Sequence, residues 1–389
     1  MGRAKHLFIV NDFPPIIGGQ SSYLYYLCRA LSPDEILVMA PCCKGARAFD
    51  QAQPFKIMRK PYLVPVPGVE KLVKILLPFV YLIRMMRREP FALLHCAHIL
   101  STGFVGLMMK AWRGQPYVVY THAADILEYQ HHPLLRPWLV RILGGAKFVV
   151  TNSHYTRAQL ERLGVGTEKI IISAPRIDSA FFGGDGGLMD LADVRRRYGL
   201  GGRRVVLSIN RLVPRKGNDV MIRALPLILE EFPEVVYAIW GEGPCRQRLK
   251  DLVGRLGLQG SVVFFDGRGG DFRRELMACC EVFVMVSRAI EARGDVEGFG
   301  VVYLEAGAAG KPVVGGDSGG VPDAVEDGVN GFLVDPQDPV AAADAVKRLL
   351  SDKDLARRMG AQGRLRVLER FDYRRGVPEL DVIFKERQA

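Results

Sequence analysis

Glu297 and Glu305 are the pair of side chains around which a reaction could be built. They stand in the run VEGFGVVYLEAGAAGKPVVGGDSGGVP, Val296 to Pro322, on either side of a Gly298-Phe299-Gly300 turn. Such a turn exposes backbone N–H groups, and the apolar run beginning at Val301 has the character of a helix. If it is helical, the stretch from one glutamate to the other spans at most about 12 Å, at roughly 1.5 Å per residue. Two carboxylates can then hold two ends of one small ligand, and the helix N-terminus between them suits a diphosphate or another anionic group. The small residues from Ala306 to Gly310 keep the helix thin, so that something can lie close against it. Lys311-Pro312-Val313-Val314 reads as a buried strand, closed by a second glycine turn from Gly315 to Gly320. On the glutamates alone, an ordinary β-α-β segment with surface acids is an equally good reading.

Arg211 and Lys216 tip that balance. They lie in the loop after an apolar strand, Val205 to Ile209, with Gly217 beside the lysine. Arginine offers phosphate oxygens a planar fork and lysine a mobile point charge, a combination suited to a diphosphate. Each alone is more often a surface charge. With the glutamates they supply a carboxylate for sugar hydroxyls, a carboxylate for a ribose, and cations for the phosphates between. His122 follows another apolar strand, Tyr117 to Tyr120, and a group just past the carboxyl end of a parallel strand sits where such sheets bind ligands. Taken alone, it is as often a structural histidine. His95-x-x-His98 and His131-His132 lack supporting carboxylates or cysteines, so no metal site is expected. Asp352-x-Asp354 stands in a polar turn before a helix, where a cap is expected.

Composition bounds what these residues can belong to. With 389 residues and 49% hydrophobic content, the chain can bury two cores. Its seven cysteines include two adjacent pairs but no C-x-x-C, which gives neither a zinc framework nor a disulfide scaffold and fits a reducing cytosol. Met1 to Val10 is interrupted by Asn11-Asp12 far short of a secretory segment, and His6 stands where a myristoylation signal wants Ser or Thr. A cytoplasmic protein is expected.

The net charge of +11 lies wholly in the first half, where residues 1–180 carry 22 Lys and Arg against 11 Asp and Glu. This points to an anionic partner for that half, membrane surface or nucleic acid, against the plainer reading of a solvated basic surface. Val69 to Arg88 favours the membrane. It is apolar with Lys71, Lys74, Arg84, Arg87 and Arg88 around it, and Pro78 and the interior charges argue against a span. A basic amphipathic helix on the inner face of an anionic bilayer competes with a core helix whose ends snorkel.

Strands alternate with helices twice along the chain, first from Lys5 to Ile172 and again from Val205 to Val286 and Val314. The expected class is α/β, with two doubly wound Rossmann-like domains facing a cleft. The first is residues 1–180, rejoined by a C-terminal helix at 374–389; the second is 181–373, with the Gly- and Asp-rich stretch Phe181 to Asp193 as linker. Gly18-Gly19 opens the first helix without a G-x-G-x-x-G fingerprint, yet still allows close backbone approach to a bound group.

Motifs along most of the chain resemble the retaining glycosyltransferases of family 4, which have the GT-B fold. They are Gly18-Gly19, Thr121-His122, Asn152-Ser153-x-x-Thr156, Asn210-Arg211-Leu212 with Lys216-Gly217, Gly241-Glu242-Gly243-Pro244, Glu297-x7-Glu305, and Gly319-Gly320-Val321-Pro322-Asp323 with Gly328-x-Asn330-Gly331. Asn11-Asp12-Phe13-Pro14-Pro15 before Gly18-Gly19 is similar to the subgroup containing phosphatidylinositol mannoside mannosyltransferases. Ala174-Pro175-Arg176-Ile177-Asp178 departs from the pattern, since relatives usually carry Asn-Gly there.

The resemblance implies a hexose, with a tilt toward mannose, moved from a nucleoside diphosphate sugar such as GDP-mannose to a lipid-linked or polysaccharide acceptor. It implies no cofactor and no metal. Glu305 would bind the ribose; Glu297 and the Phe299 and Gly300 amides the transferred sugar, with Gly298 and Val301 also in the donor site; Arg211 and Lys216 the leaving diphosphate. Gly18 and Gly19 would approach the donor from the other domain, His122 a sugar hydroxyl, and Gly267 and Arg268 the base. No convincing nucleophile stands beside the anomeric position, which favours a front-face path. The rivals are a GT-B sugar-nucleotide epimerase or phosphorylase and a non-catalytic nucleic-acid binder. For the last, no recognised nucleic-acid module or aromatic-basic interleaving is present.

Overall fold

The computed structural model describes residues 6–16, 18–62, 70–87, 90–183, 190–266, 270–290 and 294–385. The chain divides into two compact units, Met1–Ile177 with Tyr373–Ala389, and Asp178–Asp372. Unit 1 is built on β1 (His6–Ile9), β2 (Ile36–Pro41), β3 (Lys56–Lys60), β4 (Leu93–Cys96), β5 (Tyr117–Thr121), β6 (Phe148–Thr151) and β7 (Ile170–Ile172). These form one parallel sheet in the order β3-β2-β1-β4-β5-β6-β7. Most are near-continuous apolar runs, as a parallel sheet covered on both faces requires. Successive residues feed opposite cores: Leu7, Ile9, Met39, Leu94 and Val119 pack on one face, and Phe8, Val10, Val38, Leu93 and Val118 on the other.

Unit 2 repeats the plan with β8 (Arg204–Ile209), β9 (Val235–Trp240), β10 (Val262–Phe265), β11 (Val282–Met285), β12 (Val313–Gly316) and β13 (Gly331–Val334). Its parallel order is β10-β9-β8-β11-β12-β13. The short β13 is not among the strands expected from sequence. In each sheet the order turns back between two neighbours, β1 and β4 in unit 1 and β8 and β11 in unit 2. Loops leaving the carboxyl ends of such strands diverge, and the crevice between them is where open α/β sheets take ligands. Arg211 and Lys216 follow β8, and Glu297 follows β11.

Two local readings change, and the role of Arg176 becomes visible. Ser179–Gly183 is a short helix of unit 2, not the start of a linker, and a Cβ on Gly183 would stand 2.3 Å from the Ala308 carbonyl oxygen. The thin face of helix Val301–Ala308 is occupied by the chain itself. Helix Lys353–Arg366 crosses there, with Gly363 and Gly307 so close that a Cβ on Gly307 would lie 3.1 Å from the Gly363 oxygen. Arg176, the departure from the family pattern, is buried and fastens the returning segment of unit 1: it donates to Glu379 at 2.7 Å and to the Gly376 carbonyl at 3.3 Å. Beyond it, Phe384 stacks on His95 at 5.4 Å between ring centroids.

Helix Glu70–Met86 belongs to the layer covering the unit 1 sheet, with Leu82 fully buried. One row nevertheless faces out: Leu72, Leu76 and Val80 are 55%, 44% and 39% exposed at successive i, i+4 positions. Phe79 meets Trp112 edge-on at 6.4 Å, and Trp112 and Trp138 are themselves exposed. Lys110, Arg113, Arg136 and Arg141 are exposed on the neighbouring helices. No helix among the described residues is long and apolar enough to cross a membrane. Val69 and Arg88 lie outside the described residues.

Candidate active site

Lys216 closes a 3-10 turn, Pro214–Lys216, that ends on Gly217. Gly217 adopts φ +70°, and a Cβ there would stand 2.1 Å from the Val286 carbonyl oxygen, so only glycine lets the turn tuck under β11. The tuck drives the lysine inward. Lys216 Nζ donates to Glu297 Oε2 and lies 3.5 Å from Met285 Sδ. Arg215 reaches the same carboxylate oxygen through Nη1 at 2.7 Å and bonds Asp295 Oδ1 through Nε, also at 2.7 Å. Both cations thus share Oε2, and Oε1 takes no hydrogen bond among the described residues.

Burial would push the Glu297 carboxyl up, but Lys216 and Arg215 together hold it below the usual carboxylate range. For Lys216 the balance is reversed: burial, aided by repulsion from Arg215, brings its ammonium below the ordinary lysine value despite Glu297. The carboxylate is held by two cations, whereas the lysine meets the repelling Arg215 as well as Glu297, which accounts for the difference. Arg211, in contrast, is exposed, and its guanidinium has no hydrogen-bond or ion-pair partner among the described residues. It is the uncommitted cation of the loop.

Gly300 sits at φ +89° as the N-cap of helix Val301–Ala308 and gives it no side-chain cap; its carbonyl accepts from the Tyr303 N–H at 3.0 Å, and the Val301 and Val302 amides are left for another acceptor. Gly298 precedes it, and Phe299 anchors the turn by burying its ring against Phe371, 5.9 Å away and edge-on. Four residues into the helix, buried Glu305 is paired with Arg273 of helix Gly270–Cys279. The Arg273 guanidinium carbon lies 5.8 Å from the Trp240 ring centroid and 5.9 Å from that of Phe182, and its Nε is buried without a partner. Each glutamate is therefore oriented by its own cations. Arg215, Asp295 and Arg273 were not among the expected residues. Arg215 was visible beside Lys216, but nothing in the spacing tells which of three neighbouring cations turns inward; Arg273 lies too far along the chain from Glu305 for any local pattern to link them.

In unit 1, Gly18 and Gly19 are exposed at the start of helix Gly19–Arg29, and a Cβ on either would meet nothing within 4 Å. Packing within the chain does not demand these glycines. His122 stands at a strained corner: Ala123 has φ 67° and ψ −62°, and the Ala124 N–H donates to the His122 carbonyl at 2.9 Å, a γ-turn of the rarer hand. The imidazole meets Tyr23 edge-on at 5.0 Å, and its Nε2 is buried without a partner. Asp125 Oδ1 accepts from the His122 N–H at 2.9 Å, leaving Oδ2 unpartnered. Gly267 and Arg268 lie outside the described residues. Asp352 caps helix Lys353–Arg366 by accepting from the Leu355 N–H at 2.8 Å.

Burial shifts His122 down to about 3, with His98 adding to the effect, and Asp125 up to about 6. Between roughly pH 4 and 6 the folded pair holds its proton on Asp125, while the unfolded chain holds it on the histidine. The proton count barely changes on unfolding, so the two contributions offset. His122→Asn leaves Asp125 alone, with a raised folded value, and stability relative to wild type is expected to grow as pH falls from 6 to 4. Asp125→Asn leaves the depressed histidine alone, and stability is expected to fall over the same interval. Each slope approaches about 1.4 kcal/mol per pH unit, readable as opposite trends in urea midpoints.

Residues 17–180 match the family described as Glycosyltransferase Family 4, and residues 192–366 match Glycosyl transferases group 1. A GDP-mannose-dependent alpha-(1-6)-phosphatidylinositol monomannoside mannosyltransferase of Mycolicibacterium smegmatis is 34% identical over 98% of this chain and 99% of its own. The protein of the same description from Mycobacterium tuberculosis is 34% identical over 93% of each chain. Among solved structures, HepE of Anabaena in complex with UDP and glucose superposes with a TM-score of 0.81 at 22% identity, covering 99% of this chain and all of the other. Sucrose-phosphate synthase of Thermosynechococcus elongatus gives 0.80 at 22% identity over 99% of each. These two likenesses bear on the fold alone, which is GT-B.

Proposed function

The chain belongs to glycosyltransferase family 4 and is a nucleotide-sugar hexosyltransferase, and from that premise we propose that it moves mannose from GDP-mannose to a lipid-linked acceptor with retained anomeric configuration. The observation that carries this reading is the Lys216 and Arg215 pair on Glu297 beside the uncapped helix start, with Arg211 unengaged in the same loop. Lys216 and Arg211 take the charge that develops on the departing diphosphate, where other transferases use a metal. Glu297 offers its free Oε1 to hydroxyls of the transferred sugar, and Glu305 accepts from the ribose. Neutral His122 offers Nε2 to a sugar hydroxyl, and Gly18 and Gly19 leave room for the donor. Departure and attack on one face need no enzyme nucleophile; a trapped glycosyl-enzyme adduct would contradict that path.

The mycobacterial relatives' names motivate both donor and acceptor. GDP-mannose is expected to raise the melting temperature more than UDP-glucose or other nucleotide sugars, and nucleotide release is expected to accelerate when phosphatidylinositol monomannoside is supplied in vesicles. Release unaffected by any acceptor would favour the phosphorylase or epimerase alternative.

The exposed Leu72, Leu76, Val80 row with Trp112, Trp138 and the basic residues around it is the surface that would meet an anionic membrane carrying such an acceptor. Co-sedimentation with anionic vesicles but not neutral ones is the expected result. Leu72→Glu with Leu76→Glu should reduce it about tenfold or more, since burying two leucines contributes roughly 3 kcal/mol before charge repulsion is counted. Equal binding to both vesicle types would end the membrane reading.

A further inference from the structure

Lys216 cannot serve a diphosphate fully while it is the partner of a buried carboxylate. Its Nζ bonds Glu297 Oε2, and its other polar neighbour among the described residues is the weak acceptor Met285 Sδ. An incoming diphosphate would compete with Glu297 for it, and a buried carboxylate stripped of its cation is costly. The chain holds a second cation on that very oxygen. Arg215 is the better fixed of the two: Nε bonds Asp295, Nη1 bonds Glu297, and its carbonyl accepts from the Arg288 N–H at 2.8 Å. Arg288 is in turn chelated by both oxygens of Asp219 at 3.0 Å. A guanidinium braced at both ends cannot follow a ligand, whereas a lysine on a flexible stem can.

We infer that Arg215 is a positioning residue which keeps hold of Glu297 when Lys216 transfers to the donor's diphosphate. Before donor binding, Arg215 and Lys216 divide Oε2. After it, Arg215 retains the carboxylate, so that Glu297 stays ionised and aimed while Lys216 turns to the phosphates. The depressed carboxyl of Glu297 and the lowered ammonium of Lys216 fit a carboxylate served by two cations and a lysine weakly committed to its place. This rests on the donor site proposed above and adds the means by which its lysine is released.

The test is a set of Kd values for GDP, by titration calorimetry, on the full chain as wild type, Arg215→Gln, Glu297→Gln and the double variant. With Arg215 gone, Lys216 is the cation left on Glu297 among the described residues and stays there, so Arg215→Gln is expected to weaken GDP binding about tenfold or more. With Glu297 neutralised the lysine is free whatever stands at 215, so the double variant is expected to bind GDP within about threefold of Glu297→Gln. A residue that merely supports the loop, or contacts the phosphate itself, would leave the double variant as weak as Arg215→Gln, and that result would overturn the inference, as would a wild-type Kd in Arg215→Gln. If Arg215→Gln fails to fold, Arg215→Lys replaces it: a single ammonium cannot hold both Asp295 and Glu297, so weaker binding that Glu297→Gln abolishes is again expected, and its persistence would overturn the idea. Wild-type protein that binds neither GDP nor UDP would overturn the donor reading itself, a result distinct from either of these.

Discussion

Lys216→Ala is expected to lower kcat/KM for the nucleotide sugar by about 10²- to 10³-fold, equivalent to about 3–4 kcal/mol of transition-state stabilisation. The lysine acts from a buried position, where its charge is little screened, and its interaction with the diphosphate strengthens as the glycosidic bond breaks. The loss should therefore fall on kcat more than on KM. Arg211→Ala removes an exposed cation that water screens, and a smaller loss of roughly tenfold is expected, weighted toward KM. Steady-state kinetics on the two variants separates these patterns. Near-normal turnover in Lys216→Ala would remove it from the reaction.

Glu305→Ala is expected to act on stability as well as on donor binding. The glutamate is buried and its partner Arg273 is 27% exposed, with Nε already lacking an acceptor. Deleting the carboxylate leaves a half-buried guanidinium between Trp240 and Phe182 with its ion pair gone. Breaking a fully buried pair costs about 3–5 kcal/mol, and partial exposure lowers this to roughly 2–3 kcal/mol. The urea midpoint should drop accordingly. Removing both partners should cost less than removing the acid alone, because no uncompensated charge remains. A double variant less stable than Glu305→Ala would show that Arg273 matters for packing and not for pairing.

Much of this arrangement could be read from the chain, for identifiable reasons. Strands such as Val235–Trp240 are apolar throughout because both faces of a parallel sheet are covered, and runs of that kind announce themselves without a structure. Gly217 and Gly300 mark turns whose geometry other residues resist, so the loops carrying Lys216 and Glu297 were also visible. What stayed hidden depends on which way a side chain turns or on what meets it from far along the chain. Gly307 was read as room for a visitor and proves to be room for Gly363, because a close helix crossing and an empty groove demand the same small residue. The stretch Val69 to Arg88 reads equally as core or membrane surface; in helix Glu70–Met86, Leu82 is buried and Leu72, Leu76 and Val80 face outward, a division that amphipathic spacing permits without specifying.

The returning segment has a consequence for synthesis. Glu379 and Phe384, which fasten to Arg176 and cover His95, leave the ribosome only after all of Asp178–Asp372 has been translated. The first half of the chain must therefore wait, its sheet formed but one flank uncovered, while the second half emerges and folds. A nascent chain arrested near residue 370 should be cut by protease around Arg176 and become resistant there once elongation is allowed to finish.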